Sequence, residues 1–338
     1  MVREHLRRRP IGLSLLALLI AALAVVVIAR VTEADAVGQA FKHFDPAWIG
    51  LIAGAELLAY PAYMWAYRSI ASVHGHAPLA LPLVARIVVA GFGPFSIGGG
   101  FGLDRQALRA LHEDEDSARV RVLALGVLEW AVLAPTTCVV AIVLLATGAD
   151  ILPSLLWPWA VLVPLGFALA LWASVSSRMQ QRLRGGGRVR TWAGHALASI
   201  GVLRTLIRSP RRYAGAWLGT ALYWAADISA FYGGLRTFGL DPGAGKVILA
   251  YATGYAATRR SLPLGGAGLT EVLMTYSLYW VRLPLAPALG AVVAYRLFNL
   301  LLAAMPGVIA HRQLEPVLAR GSEGGGNERS QTLGSQRR

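Results

Sequence analysis

The sequence predicts an all-α polytopic membrane protein, and three observations carry that prediction. Of 338 residues, 56% are hydrophobic and only 15% charged, with mean hydropathy +0.53; a soluble domain carries roughly 25% charged residues. Apolar stretches near the ~20 residues that span a bilayer recur along the chain. The net charge of +14 comes almost wholly from arginine, gathered into a few connections. A basic balance also suits nucleic acid, but the uninterrupted apolar segments make the positive-inside rule the better account, and no nucleic-acid partner is expected. The one cysteine, Cys138, lies in an apolar run, so it reads as a small buried hydrophobe and forms no intrachain disulfide.

The first segment follows Arg7-Arg8-Arg9 and runs uncharged from Ile11 to Ala29. Ala34-Asp35-Ala36 resembles a signal cleavage site. The apolar run is nonetheless longer than the ~7–15 residues of a signal h-region, which favours an uncleaved first helix. Further clean spans are predicted at Ala47–Tyr67, Val120–Thr147, Leu152–Val175, Tyr213–Leu235 and Ala286–Ala310. Two more apolar regions are broken by glycine and proline. Leu79–Leu103 contains Gly91-Phe92-Gly93-Pro94 and Gly98-Gly99-Gly100. Lys246–Trp280 contains Arg259-Arg260-Ser261-Leu262-Pro263-Leu264-Gly265-Gly266-Ala267-Gly268-Leu269-Thr270-Glu271. Eight hydrophobic segments result, in one membrane domain over residues 1–315. Residues 316–338, rich in Gly, Ser, Gln and Arg, read as a disordered cytoplasmic tail.

Charge sets the topology. The connection Ser176–Arg212 carries Arg178, Arg182, Arg184, Arg188, Arg190, Arg204, Arg208, Arg211 and Arg212 with no acid, and is placed in the cytoplasm. The arginine-rich N-terminus belongs on the same side. Four clean spans connect the two, so Leu79–Leu103 must enter and leave on the cytoplasmic side. In the second half, a tail carrying Arg312, Arg320, Arg337 and Arg338 stays inside only if Lys246–Trp280 is re-entrant from the outer face. The expected fold is therefore about six full spans plus two broken re-entrant hairpins in an inverted repeat, N-in and C-in. Such discontinuous elements meet near the midplane in secondary transporters. The expected location is the plasma (cytoplasmic, inner) membrane, multi-pass.

Ionisable residues inside these segments are the candidates for function, since charge in a bilayer is costly and faces partners or a watery cavity. They are Glu56, Arg86, Arg121, Glu129, Asp227, Arg259, Arg260, Glu271 and Arg296. Arg121 sits near a helix end and reads as a snorkelling residue. For Glu56 and Glu129 an interhelical ion pair is as good a reading as substrate contact. A helix restarting near Gly268 would aim backbone amides and a positive dipole end into the cavity, a geometry suited to phosphate. Arg259 and Arg260 would add bidentate donors for the same anion. Glu271 on that first turn suits the helix dipole; it could equally pair with an arginine or bind a cationic headgroup. The first broken segment offers Arg86, Asp104 and Arg105. Glu113-Asp114-Glu115-Asp116 reads as a solvated loop. No dinucleotide or ATP-binding loop is present. His74-Gly75-His76 has no third ligand, so no metal and no cofactor are expected.

These residues resemble a known family. Ser261 to Glu271 resembles the S-x-P-x-P-G-G-x-G-x-x-E pattern of the lysylphosphatidylglycerol synthase transmembrane region, the flippase-like integral membrane family, with Leu264 at a common proline. Tyr295-Arg296 with Pro306-Gly307 is similar to its closing helix. Gly93-Pro94 through Gly98-Gly99 to Asp104-Arg105 is similar, more loosely, to its first-half pattern. The resemblance covers most of Leu79–Ala310. It implies movement of lipids such as aminoacylated phosphatidylglycerol between leaflets. In the full-length synthases a soluble aminoacyl-transferase domain follows; nothing after Ala310 here corresponds to it, so lysyl transfer is not expected.

The leading expectation is translocation of a phospholipid or lipid-linked anionic substrate, passive or ion-coupled, with Asp227, Glu129 or Glu271 as candidate proton carriers. The expected substrate-binding residues are Arg86, Asp104, Arg105, Asp227, Arg259, Arg260, Ser261, Pro263, Gly265, Gly266, Gly268, Glu271 and Arg296. No catalytic residue is assigned. Two alternatives stand beside it. One is a membrane-embedded headgroup transferase with Glu271 or Asp227 as base, against which no nucleophile–base pair is found. The other is a non-catalytic partner that recruits a separate lipid-modifying enzyme through the arginine-rich connection.

Overall fold

The computed structural model describes residues 10–31, 38–73, 78–93, 100–111, 115–176, 187–254 and 263–335. All regular structure among them is helical. Eleven helices are distinguished: α1 Pro10–Val31, α2 Ala47–Ala71, α3 Leu81–Phe92, α4 Gly100–Ala110, α5 Glu115–Ala146, α6 Pro153–Val175, α7 Arg188–Arg208, α8 Ala214–Thr237, α9 Ala244–Gly254, α10 Leu269–Trp280 and α11 Leu285–Ser335. A π-helical turn, Pro158–Leu162, lies inside α6, and a 3-10 turn, Pro263–Gly266, precedes α10. Each broken segment of the sequence is thus two short helices. Helix α11 continues past residue 316, where composition marks the start of a tail.

Four described helices are long and apolar enough to cross a membrane: Ala47–Ala71, Asp116–Ala146, Pro153–Val175 and Leu285–Leu318. The other two of the six expected spans form helices that fall outside this set. In α1 the apolar stretch is Leu15–Arg30. In α8, glycine, alanine, threonine and Asp227 replace the leucine and isoleucine of a lipid-facing span, because most of that helix is buried against protein. A second difference is α7. The arginine-rich connection contains a 21-residue helix, whose apolar residues Trp192, Ile200, Leu203 and Ile207 recur at helical spacing among the arginines. Arginine hides such a helix from a hydropathy reading.

The packing has an internal exchange symmetry. Helix α2 packs most extensively on α8; α3 packs on α11 as α9 packs on α5; α4 packs on α5 as α10 packs on α11; α1 packs on α11 as α7 packs on α5. The contacts are therefore matched between α1–α5 and α7–α11, with α6 as the connecting helix. The equivalent helices α2 and α8 run antiparallel. A Cβ on Gly219 would lie 2.7 Å from the Ala62 carbonyl and 2.6 Å from the Ala66 nitrogen, while one on Gly233 would meet Ile52 and Trp48. Small residues on both helices permit this approach, as in other close-packed membrane helix pairs.

Each broken pair returns to the end at which it starts. Leu79, before α3, and Leu108, late in α4, pack together with Ala118 and Val122 at the beginning of α5. Gly245 of α9 lies against Val140 and Leu144 near the end of α5. Arg282, just after α10, faces Asp150, in the turn that follows α5, at 3.8 Å. The two hairpins therefore enter the bundle from opposite ends of α5.

Candidate functional site

The polar residues that the sequence scattered over four segments converge on α11, against which α2, α8 and α10 all pack. Gly268 takes φ +86°, a left-handed backbone for which glycine has no steric cost. Its N–H donates to Glu271 Oε2 at 2.6 Å, so the carboxylate closes the first turn of its own helix and meets the positive end of the dipole. The other oxygen, Oε1, accepts from Arg296 Nε of α11 at 2.8 Å. Arg296 also donates to Asn299 Oδ1 at 3.1 Å, and Asn299 Nδ2 donates to Glu56 Oε1 of α2 at 2.8 Å. Arg296 and Asn299 are three residues apart on one helix face, which makes the relay continuous. Glu271, Arg296, Asn299 and Glu56 are all buried.

A second polar centre lies beside the first. Asp227 of α8 accepts from the hydroxyls of Tyr251 (α9) and Tyr295 (α11), each at 2.7 Å. A third is Glu129 of α5, which accepts from Tyr63 at 2.5 Å; its backbone carbonyl accepts from Trp224 Nε1 at 2.9 Å. Aromatic rings join these centres. Phe92, the last residue of α3, stands edge-on to Tyr63, which meets Tyr223; Trp224 meets Tyr251, then Phe231, then Tyr295. Successive centroids are 4.7 to 5.9 Å apart. This ladder runs from the break of one hairpin, through the α2–α8 seam, past α9, the helix leading into the break of the other, and ends at Tyr295 on α11.

The structure thus brings Gly268, Glu271, Arg296 and Asp227 into one buried region. Pro263, Gly265 and Gly266 form the 3-10 turn that leads to it. Asp104 is fully buried on α4, while Arg105 is half-buried and Arg86 is exposed on α3. Arg259, Arg260 and Ser261 lie outside the described residues. Sequence reasoning missed Asn299, Tyr63 and Tyr251. Charge screening passes over neutral polar side chains, and tyrosine in an apolar helix reads as packing. The three-residue spacing from Arg296 to Asn299 was the one available signal.

Beyond the membrane segment, Asp241 follows α8 and accepts from Tyr232 at 2.9 Å while pairing with Arg236. The hydrogen bond from Tyr232, with that from Arg236, holds its carboxyl below the ordinary carboxylate value of 3.8. Arg236 also lies over the Trp48 ring, 4.8 Å from its centroid, tying the end of α8 to the start of α2. Among the described residues, no three His, Cys, Asp or Glu side chains form a group that could hold a metal ion.

Residues 14–307 match the family described as lysylphosphatidylglycerol synthase TM region. No curated protein matches the chain significantly.

Proposed function

Because this multi-pass membrane protein belongs to the lysylphosphatidylglycerol synthase TM region family, whose members are tied to lipid handling, we propose that it moves a phospholipid or a lipid-linked anionic substrate between the two leaflets. The observation that carries this reading is the buried relay Gly268–Glu271–Arg296–Asn299–Glu56. A headgroup crossing the hydrocarbon must exchange water for polar partners at depth, because nothing in lipid can supply them. The relay runs from α10 across α11 to α2, the helix that packs along α8. Two hairpins returning to opposite ends of the bundle support an inverted-repeat carrier, the arginine-rich connection supports an N-in, C-in orientation, and this reading takes the plasma membrane as its location.

The charge inventory bears on the mode. Among the described residues Glu56, Asp104, Glu129, Asp227 and Glu271 are buried, as are Arg121 and Arg296. Ionisable groups at such depth line substrate and proton paths in membrane carriers. In this reading movement is passive or ion-coupled. Arg259 and Arg260 are the cations placed by sequence beside this region, and in this reading they meet the phosphate.

The test is reconstitution into liposomes, following labelled phosphatidylglycerol from one leaflet to the other with and without a proton gradient. Arg259→Ala plus Arg296→Ala is expected to abolish protein-dependent movement. An unchanged rate in that variant would falsify the site, and a changed headgroup mass after incubation with lipid would replace the carrier with a transferase.

A further inference from the structure

A cavity of about 630 Å³ opens between α4, α5, α6 and α7, away from the polar relay. Every residue lining it is apolar, among them Leu123 and Ala134 of α5, Gly166 of α6, and Trp192, Ile200 and Leu203 of α7. From Leu123 to Ala134 the α5 wall rises ~16 Å, about half of a ~30 Å hydrocarbon core. The groove therefore has the depth of a single leaflet. It begins at the end of α5 where His195 of α7 meets Asp116 at 2.9 Å, which is the end that carries the arginine-rich connection.

Helix α7 supplies the second half of a binding site. Ile200, Arg204 and Arg208 follow one another at four-residue steps, so they form a ridge leading from the groove wall to two guanidinium groups. Arg204 is partly buried, and Arg190 and Arg208 are exposed. No acidic residue occurs in the helix. Trp192 is 65% exposed at the groove, as indole rings are where hydrocarbon gives way to headgroups. We propose that this groove holds one acyl chain of an anionic membrane phospholipid whose phosphate is bound by Arg204 and Arg208. An apolar trough of one-leaflet depth selects a chain, and the cations beside it select the charge. Helices α6 and α7 take no part in the relay, so this lipid is a resident of the α5 N-terminal leaflet, and its binding does not depend on transport.

The experiment uses the full chain in detergent, titrated separately with dioleoylphosphatidylglycerol and dioleoylphosphatidylcholine, with bound lipid counted by native mass spectrometry. Phosphatidylglycerol is expected to be retained at a concentration about tenfold or more below phosphatidylcholine, as two near-surface cations imply. Gly166→Leu places an isobutyl group in the trough at a position where a Cβ meets no atom within 4 Å; it is expected to lower retention of both lipids. Arg204→Gln with Arg208→Gln is expected to remove the preference and leave phosphatidylcholine retention unchanged. Helical circular dichroism checks that both variants fold. Equal retention of the two lipids, no retention of either, or undiminished retention in Gly166→Leu would each overturn the proposal.

Discussion

Glu271 and Arg296 join α10 to α11 through a 2.8 Å contact whose side chains are 1% and 3% exposed. The carboxylate is shared, because its second oxygen binds the Gly268 N–H. One side chain therefore sets both the start of a helix and the position of the only arginine seen in the relay among the described residues.

Removing one partner should harm the protein more than removing both. Arg296→Ala leaves a buried carboxylate and is expected to cost about 3–5 kcal/mol, whereas Arg296→Met combined with Glu271→Leu recovers a large part of that. Glu271→Gln should be intermediate, since the amide oxygen can still accept one of the two bonds. Thermal unfolding in detergent ranks the three; a double variant worse than Arg296→Ala would show that the pair is not the unit.

The α2–α8 seam depends on Gly219. Gly219→Val would drive a side chain into the Ala62 carbonyl and the Ala66 nitrogen, neither of which can swing aside. A loss of at least about 1–3 kcal/mol is expected. Gly54→Ala on α2, where a Cβ meets nothing within 4 Å, is the matched control and should leave the melting temperature unchanged or raise it slightly, alanine being the better helix former.

Leu264 adopts φ +55° in the turn before α10. Proline is locked near −65° and cannot take that angle, although proline is common there in the family pattern that this sequence resembles. Leu264→Pro is thus expected to destabilise the turn, and Leu264→Gly to stabilise it by about 1 kcal/mol. Melting temperatures in the opposite order would show that the turn does not hold this angle.

At the end of α8, the lowered pKa of Asp241 fixes a pH dependence. The folded carboxyl prefers to be ionised, so its contribution is complete above the ordinary value of 3.8 and fades as pH falls through the lowered one. Asp241→Asn should melt below the parent protein at neutral pH and converge with it in acid. Because Asp241 is largely exposed, the gap should be small and shrink with added salt. A gap constant across that range would assign the effect to packing.

The sequence was sufficient for the helical class, for the two broken regions and for four of the six expected spans. Those follow from local quantities, since hydropathy, glycine and proline act on the backbone where they stand. Its charge pattern also marked Asp227, Glu271 and Arg296 as residues that face partners or a cavity, because ionisable groups in apolar runs require partners wherever the chain places them. Two things depended on the folded chain. Helix α7 takes its place from Val202, Leu203 and Leu206 packing into the common core, which outweighs the arginines that dominate its local composition. The relay needs Glu56 beside Asn299, 243 residues apart, and Asp227 beside both Tyr251 and Tyr295. Such pairings are decided by which helix faces meet at the antiparallel α2–α8 seam, and glycines at 219 and 233 set that approach only when Ala62, Ala66 and Ile52 stand opposite them.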